Sequence, residues 1–194
     1  MSFVETNQGK RRREMRTGTK SLLFGVHQFI WHPVTVYLAW IYLYRSMPSI
    51  RETICIIIHD WGYWGKYNMD DADGEKHPEL AAKIAGCLLG QKYHDLCLYH
   101  SRHYVRNKGI EPSKLCWADK YSIMFESWWT YLPRAWISGE LREYRKLAAD
   151  AGFIPISASD RVWFAWVKSY LKIIGKTQKG NVVGYMNSIR KDIK

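Results

Sequence analysis

Acidic residues are in short supply in this chain. Eighteen Asp and Glu stand against 29 Lys and Arg, leaving a formal net charge of +11 over 194 residues. That balance favours polyanionic partners, whether nucleotides, nucleic acid or an anionic membrane, without choosing among them. Cysteine is also scarce. Cys55, Cys87, Cys97 and Cys116 are the only four, and none forms a CxxC pair. This argues against a structural zinc ribbon and for free buried thiols in a reducing cytoplasm. A long apolar run is missing too. The most hydrophobic stretch, residues 21–44, is interrupted by His27, Gln28, His32 and Pro33. A spanning helix needs about 20 nearly uninterrupted apolar residues, so no stable membrane insertion is expected. No apolar signal core follows the basic run Lys10-Arg11-Arg12-Arg13, and no repeat or long low-complexity segment is visible.

What the chain does have is the material of a core. Apolar residues make up 47% and aromatics 15%, including ten Trp and thirteen Tyr. A disordered chain would lack them. The pattern predicts an all-α protein: helices from Pro33 to about Met47, over 51–60, from His77 to about Leu89, over 92–103, from Ser113 to about Thr130, over 139–151 and 159–174, and a short one over 182–193. Pro133 is expected to end a helix. The β-branched run Ile54 to Ile58 reads alone as either a buried strand or a helix, and the motif at its end favours the helix. Residues 61–76 read as a glycine-containing loop. Its acids Asp70, Asp71 and Asp73 read as solvated, because their spacing fails the EF-hand pattern. Three regions follow: a flexible basic arm (1–18), a helical core (19–131) and a C-terminal helical extension (132–194).

The residues that carry chemistry are histidines and aspartates. His32, the adjacent pair His59-Asp60, then His77, His100, His103 and Asp119 mostly fall near expected helix ends, where side chains can lean over one cavity. Imidazole nitrogen and carboxylate oxygen together suit Zn, Fe, Mn, Ni and Mg to different degrees. Asp60 ends the apolar run Ile56-Ile57-Ile58, where a charged carboxylate is costly unless it is paired or bound to metal. His27 and His94 read as ordinary hydrogen-bonded histidines. Trp128-Trp129-Thr130-Tyr131 and Trp163-Phe164-Ala165-Trp166 read as core before they read as a base-stacking platform.

The order H…HD…D in His32, His59-Asp60 and Asp119 resembles the HD superfamily of metal-dependent phosphohydrolases. The 27-residue interval from His32 to His59 fits a helix, a turn and a second helix. His77-Pro78-Glu79-Leu80-Ala81-Ala82 and Tyr99-His100-Ser101-Arg102-His103 resemble segments of the two-metal branches, nearest the bacterial dinucleoside tetraphosphate hydrolases, with cyclic-dinucleotide phosphodiesterases more distant. The likeness covers about residues 27–125. Trp61 replaces the small apolar residue usual after HD, and Tyr63 stands where a lysine is often found, with Lys66 further on.

The resemblance implies an HD-type helical bundle with a C-terminal extension. It further implies one or two divalent ions drawn from Fe, Mn, Co, Ni, Zn or Mg. His32, His59, Asp60 and Asp119 would hold the first, and Asp60, His77 and His100 the second. Arg102, Lys108, Lys114 and Lys120 would grip substrate phosphate, and His103 would protonate a leaving group or support a ligand from behind. The expected activity is hydrolysis of a nucleoside polyphosphate, dinucleotide, deoxynucleotide or other phosphorylated small molecule in the cytoplasm. A homo-oligomer is compatible with it. Two rivals stand beside it: a non-catalytic nucleic-acid-binding protein on the same fold, and a membrane-associated protein using residues 21–44.

Overall fold

The computed structural model of the chain describes residues 15–69 and 71–177. The basic run Lys10–Arg13, Asp70, the helix expected over 182–193 and most of the basic tail lie outside them. The described residues form ten α-helices and no strand. These are α1 (Thr17–Phe24), α2 (Trp31–Tyr44), α3 (Ile50–Ile58), α4 (Pro78–Leu89), α5 (Gln91–Leu98), α6 (Arg102–Lys108), α7 (Lys114–Tyr121), α8 (Trp128–Ser138), α9 (Glu140–Asp150) and α10 (Asp160–Thr177).

The ambiguous isoleucine run is helical because its start is strongly signalled. Ser49 accepts a hydrogen bond from the Glu52 N–H while Glu52 reaches back to the Ser49 N–H, a complete capping box. Helix α3 then buries Cys55, Ile56 and Ile58 against the core. A side chain such as Ile56 contributes about 1.5–3 kcal/mol when fully buried. Helix α2 carries no charged residue. One face (His32, Thr35, Val36, Ala39, Trp40) is buried, while Trp31, Val34, Leu38 and Tyr42 remain exposed. Helices α4 and α5 pack closely, and α4 brings small residues to the core at Ala81, Ala82 and Ala85. No helix among the described residues is long and apolar enough to cross a membrane.

Several expected boundaries shift. The helix expected over 92–103 is two helices broken at Tyr99-His100-Ser101, where the Ser101 hydroxyl caps α6 by accepting the His103 N–H. The helix expected over 113–130 ends at Tyr121, passes through a 3-10 turn at Ser122–Phe125, and restarts as α8. Pro133 sits inside α8 instead of ending a helix. It withholds only the bond to Trp129, an exposed residue whose carbonyl water can serve, and Arg134 Nε donates to the neighbouring Thr130 carbonyl at 3.0 Å. Helix α8 runs through residue 131, the expected edge of the core, and packs against α1 and α9. Cys55, Cys97 and Cys116 are buried free thiols, whereas Cys87 is exposed on α4.

Candidate metal centre

Three of the four expected ligand histidines are aimed by their own backbone. His59 Nδ1 lies 2.8 Å from the Ile56 carbonyl, His77 Nδ1 2.8 Å from the Gly74 carbonyl, and His100 Nδ1 2.5 Å from the Cys97 carbonyl. A carbonyl oxygen only accepts, so each Nδ1 donates, and each Nε2 is turned to the interior as the available ligand atom. This repeated contact three residues back needs a helix end or a tight turn. His59 follows α3, His77 follows the 3-10 turn Gly74–Lys76, and His100 lies in the α5–α6 break. Gly62 is required beside them, because a Cβ there would stand 1.9 Å from the His77 carbonyl oxygen.

The six expected ligands converge into two groups, buried except for the half-buried Asp119: His32, His59, Asp60 and Asp119, and Asp60, His77 and His100. Within each, the ligand atoms lie within 4.8 Å of one another. Asp60 belongs to both through different oxygens. Its Oδ2 is 3.1 Å from His32 Nε2 and 3.1 Å from His59 Nε2, while its Oδ1 is 3.7 Å from His77 Nε2 and 3.7 Å from His100 Nε2. Asp119 Oδ1 closes the first group at 3.1 Å from His32 Nε2 and 3.7 Å from His59 Nε2. Ligands bound at about 2.1 Å around one ion stand roughly 3.0–3.4 Å apart, so this spacing suits an N/O-ligated cation.

The hydrogen bonding also fits a metal. His32 Nε2, His59 Nε2 and Asp60 Oδ2 are buried without a hydrogen-bond partner, a costly state for polar atoms that a cation would relieve. His77 Nε2 and His100 Nε2 face each other at 3.0 Å. With both Nδ1 atoms donating to carbonyls, two lone pairs meet there unless a proton or a metal ion lies between them. The charges follow the same logic. Burial works against His59 ionisation, yet the nearby carboxylates of Asp60 and Asp119 push it up to about 10. Burial and the neighbouring His100 press His77 well below its ordinary value. Burial alone would raise Asp60 and Asp119, but the facing imidazoles hold both well below the usual carboxylate range.

Other expected residues lie around these groups. Arg102 is exposed at the start of α6. The buried Cys116 thiol is pushed up by burial, and Lys120 is half-buried on α7, one residue past Asp119. His103 is half-buried, with Nε2 3.0 Å from the Asn107 amide, and joins neither ligand group. The Lys108 ammonium lies 6.0 Å over the Tyr99 ring, and that of Lys114 5.1 Å over Tyr44. Neither lysine is paired with a ligand residue among the described residues. Asp71 caps the loop by accepting the Asp73 and Gly74 N–H groups, and Asp73 pairs with Lys66.

His94 is an ordinary histidine beside Asp95 and Gln91. His27 is hydrogen-bonded as expected, but its partner is Glu140, a residue the sequence gave no reason to notice. Tyr63, which the sequence marked only as a departure from the resembled pattern, stacks its ring on His77 at 3.8 Å. Trp128 and Trp129 are exposed instead of core. Arg161 stacks 3.7 Å above Trp128, and both border a cleft of about 390 Å³ shared with Trp129, Phe164 and Lys168. Trp163 and Phe164 are buried, as the helical spacing implied.

Compared with known protein families, with characterised proteins and with solved structures, the chain has no match in any of the three.

Proposed function

We propose that the chain is a metal-dependent phosphohydrolase of the HD type acting on a nucleotide-like substrate. The observation that carries this reading is Asp60, one buried carboxylate whose two oxygens face two separate sets of imidazole nitrogens. His32, His59, Asp60 and Asp119 would hold one divalent ion, and Asp60, His77 and His100 a second. Bound there, such ions supply an acidified water near neutral pH and positive charge for the phosphoryl oxygens. The protein's own share is to aim the ligand nitrogens through backbone carbonyls and to hold the carboxylates ionised in a dry interior. Arg102, exposed at the start of α6, and Lys120, next to Asp119 on α7, would meet the phosphate. The substrate class is a nucleoside polyphosphate, dinucleotide or deoxynucleotide, which the net charge of +11 favours.

The test is elemental analysis of the purified protein, then a screen of nucleotides for released phosphate with Mn, Co, Ni and Mg. Bound metal and release that disappears in a folded Asp60→Ala protein are expected. Unchanged release in that variant refutes the reading. A second reading, a nucleic-acid-binding protein on the same fold, is favoured by the Arg161–Trp128 stack and exposed Trp129. It predicts salt-dependent binding of an oligonucleotide with no turnover.

A further inference from the structure

Glu140 is wholly buried, at 0% exposure, on the first residue of α9. It lies outside the segment that carries the metal-ligating residues, yet it is tied to them. Ser21 Oγ donates to its Oε1 at 2.7 Å, His27 Nδ1 donates to Oε1 at 2.7 Å, and Tyr144 OH donates to Oε1 at 3.2 Å. The Val26 N–H donates to Oε2 at 3.2 Å, and Ser138 Oγ donates to the same oxygen. The approach is so close that a Cβ on Gly25 would stand 2.5 Å from Oε2. A carboxylate with five donors is a rigid anchor, and the group it anchors most directly is the His27 ring.

From that ring a continuous series of aromatic contacts reaches both ligand groups. His27 meets His32 edge-on at 5.1 Å and Tyr63 at 5.2 Å. Tyr63 stacks on His77 at 3.8 Å with the planes 15° apart. His32 is a ligand of the first group and His77 of the second. His27 belongs to neither group and meets the first through the His32 ring, while Tyr63 meets the second through the His77 ring. The backbone carbonyls fix His59, His77 and His100 at Nδ1, but no comparable bond is found for His32 among the described residues. Its ring has His27 beside it instead.

We propose that Glu140 is a positioning residue for both ion sites, seating His32 through the His27 ring and His77 through Tyr63. This inference rests on the metal reading above. Residues that orient a ligand from behind typically change metal affinity by about 10–100-fold when removed. The test is titration of metal-free protein with cobalt(II) alone, read by calorimetry, by elemental analysis after dialysis and by the visible absorption of the bound ion. Circular dichroism and melting of the metal-free proteins establish which variants are folded.

Wild type is expected to take two ions. His27→Ala, which leaves Glu140 four of its donors, should weaken both sites by about tenfold or more and alter the cobalt spectrum. Tyr63→Leu should weaken the Asp60–His77–His100 site more than the other, and Tyr63→Phe, which keeps the ring, should restore it. Glu140→Gln should resemble His27→Ala; if it does not fold, His27→Ala and the Tyr63 pair decide. A wild type that binds two ions beside variants with unchanged affinity and spectrum overturns this inference and leaves the metal reading standing. Failure of Tyr63→Phe to restore the site also overturns it. A wild type that binds no ion overturns both.

Discussion

Glu140 and Asp60 are both buried carboxylates set against histidines, yet their surroundings differ in kind. Glu140 receives five hydrogen bonds, four of them from groups other than imidazole. Asp60 faces imidazoles on both oxygens, and its Oδ2, like His32 Nε2 and His59 Nε2, has no hydrogen-bond partner. The first network is finished by the protein alone, and the second is left incomplete. Burial of an acid beside a histidine therefore does not distinguish a ligand site from a structural pair. Unfilled bonding capacity does, because an interior that has already met the cost of desolvation leaves such atoms only for something else to bind.

The contrast can be broken by truncating each acid in turn. Glu140→Ala should destabilise the metal-free protein by about 3–5 kcal/mol, since it strands His27 and several buried donors. Denaturant melts of both metal-free proteins measure this, and a change below about 1 kcal/mol would show that the network is not the anchor described. Asp60 should matter through the ion instead. Cobalt at a hundredfold excess over its dissociation constant should stabilise wild type by about 2.7 kcal/mol for each ion bound and Asp60→Ala not at all. Equal stabilisation of the two in thermal melts would remove Asp60 from the centre.

Acidity sharpens the comparison further. In the metal-free protein His59 is pushed up to about 10, above its ordinary 6.5, burial being outweighed by Asp60 and Asp119. The stability that this contact contributes is fully present below about pH 6.5 and is lost as pH rises through about 10. Ion binding has the opposite sign, because the ligand nitrogen must give up its proton. Apparent cobalt affinity should therefore fall as pH falls below 10, by about tenfold per unit for each proton displaced. Calorimetry at pH 6.5, 7.5 and 8.5 in buffers of different ionisation enthalpy measures the protons released, and a flat profile would contradict a charged His59. The smallest effect belongs to a residue outside both networks. Arg161→Ala, which removes the stack on exposed Trp128, should cost only about 0.5–1 kcal/mol in denaturant melts and leave cobalt binding unchanged.

Much of the architecture was legible from short-range signals, and the histidines and aspartates that converge were legible from their order along the chain, which resembles the HD motif. Pro78 at the first turn of α4 marked that boundary within a residue, whereas the Ser49/Glu52 capping box and Gly139 after α8 were recognised as boundaries only in the fold. An acid directly after Ile56-Ile57-Ile58 is conspicuous, so His59-Asp60 stood out. Pro133 misled because a proline inside a helix is tolerated where the carbonyl it leaves unbonded is exposed, and exposure is not written locally. Trp128 and Trp129 misled for the same reason, since aromatic residues look like core until the surrounding helices are placed.

Taken alone, the residues pointed to an all-helical chain and to seven histidines and aspartates whose donor atoms suit a cation, from which the resemblance selected six, because helix caps, apolar periodicity and donor chemistry are properties of neighbours along the chain. Tertiary structure alone decided that Asp60 divides its oxygens between two groups and that Glu140, 119 residues from Ser21, closes a buried network behind them. A glutamate after a glycine at a helix start looks like an ordinary response to the helix dipole. Only the packing of α9 against α8, and of α8 against α1, brings it to His27.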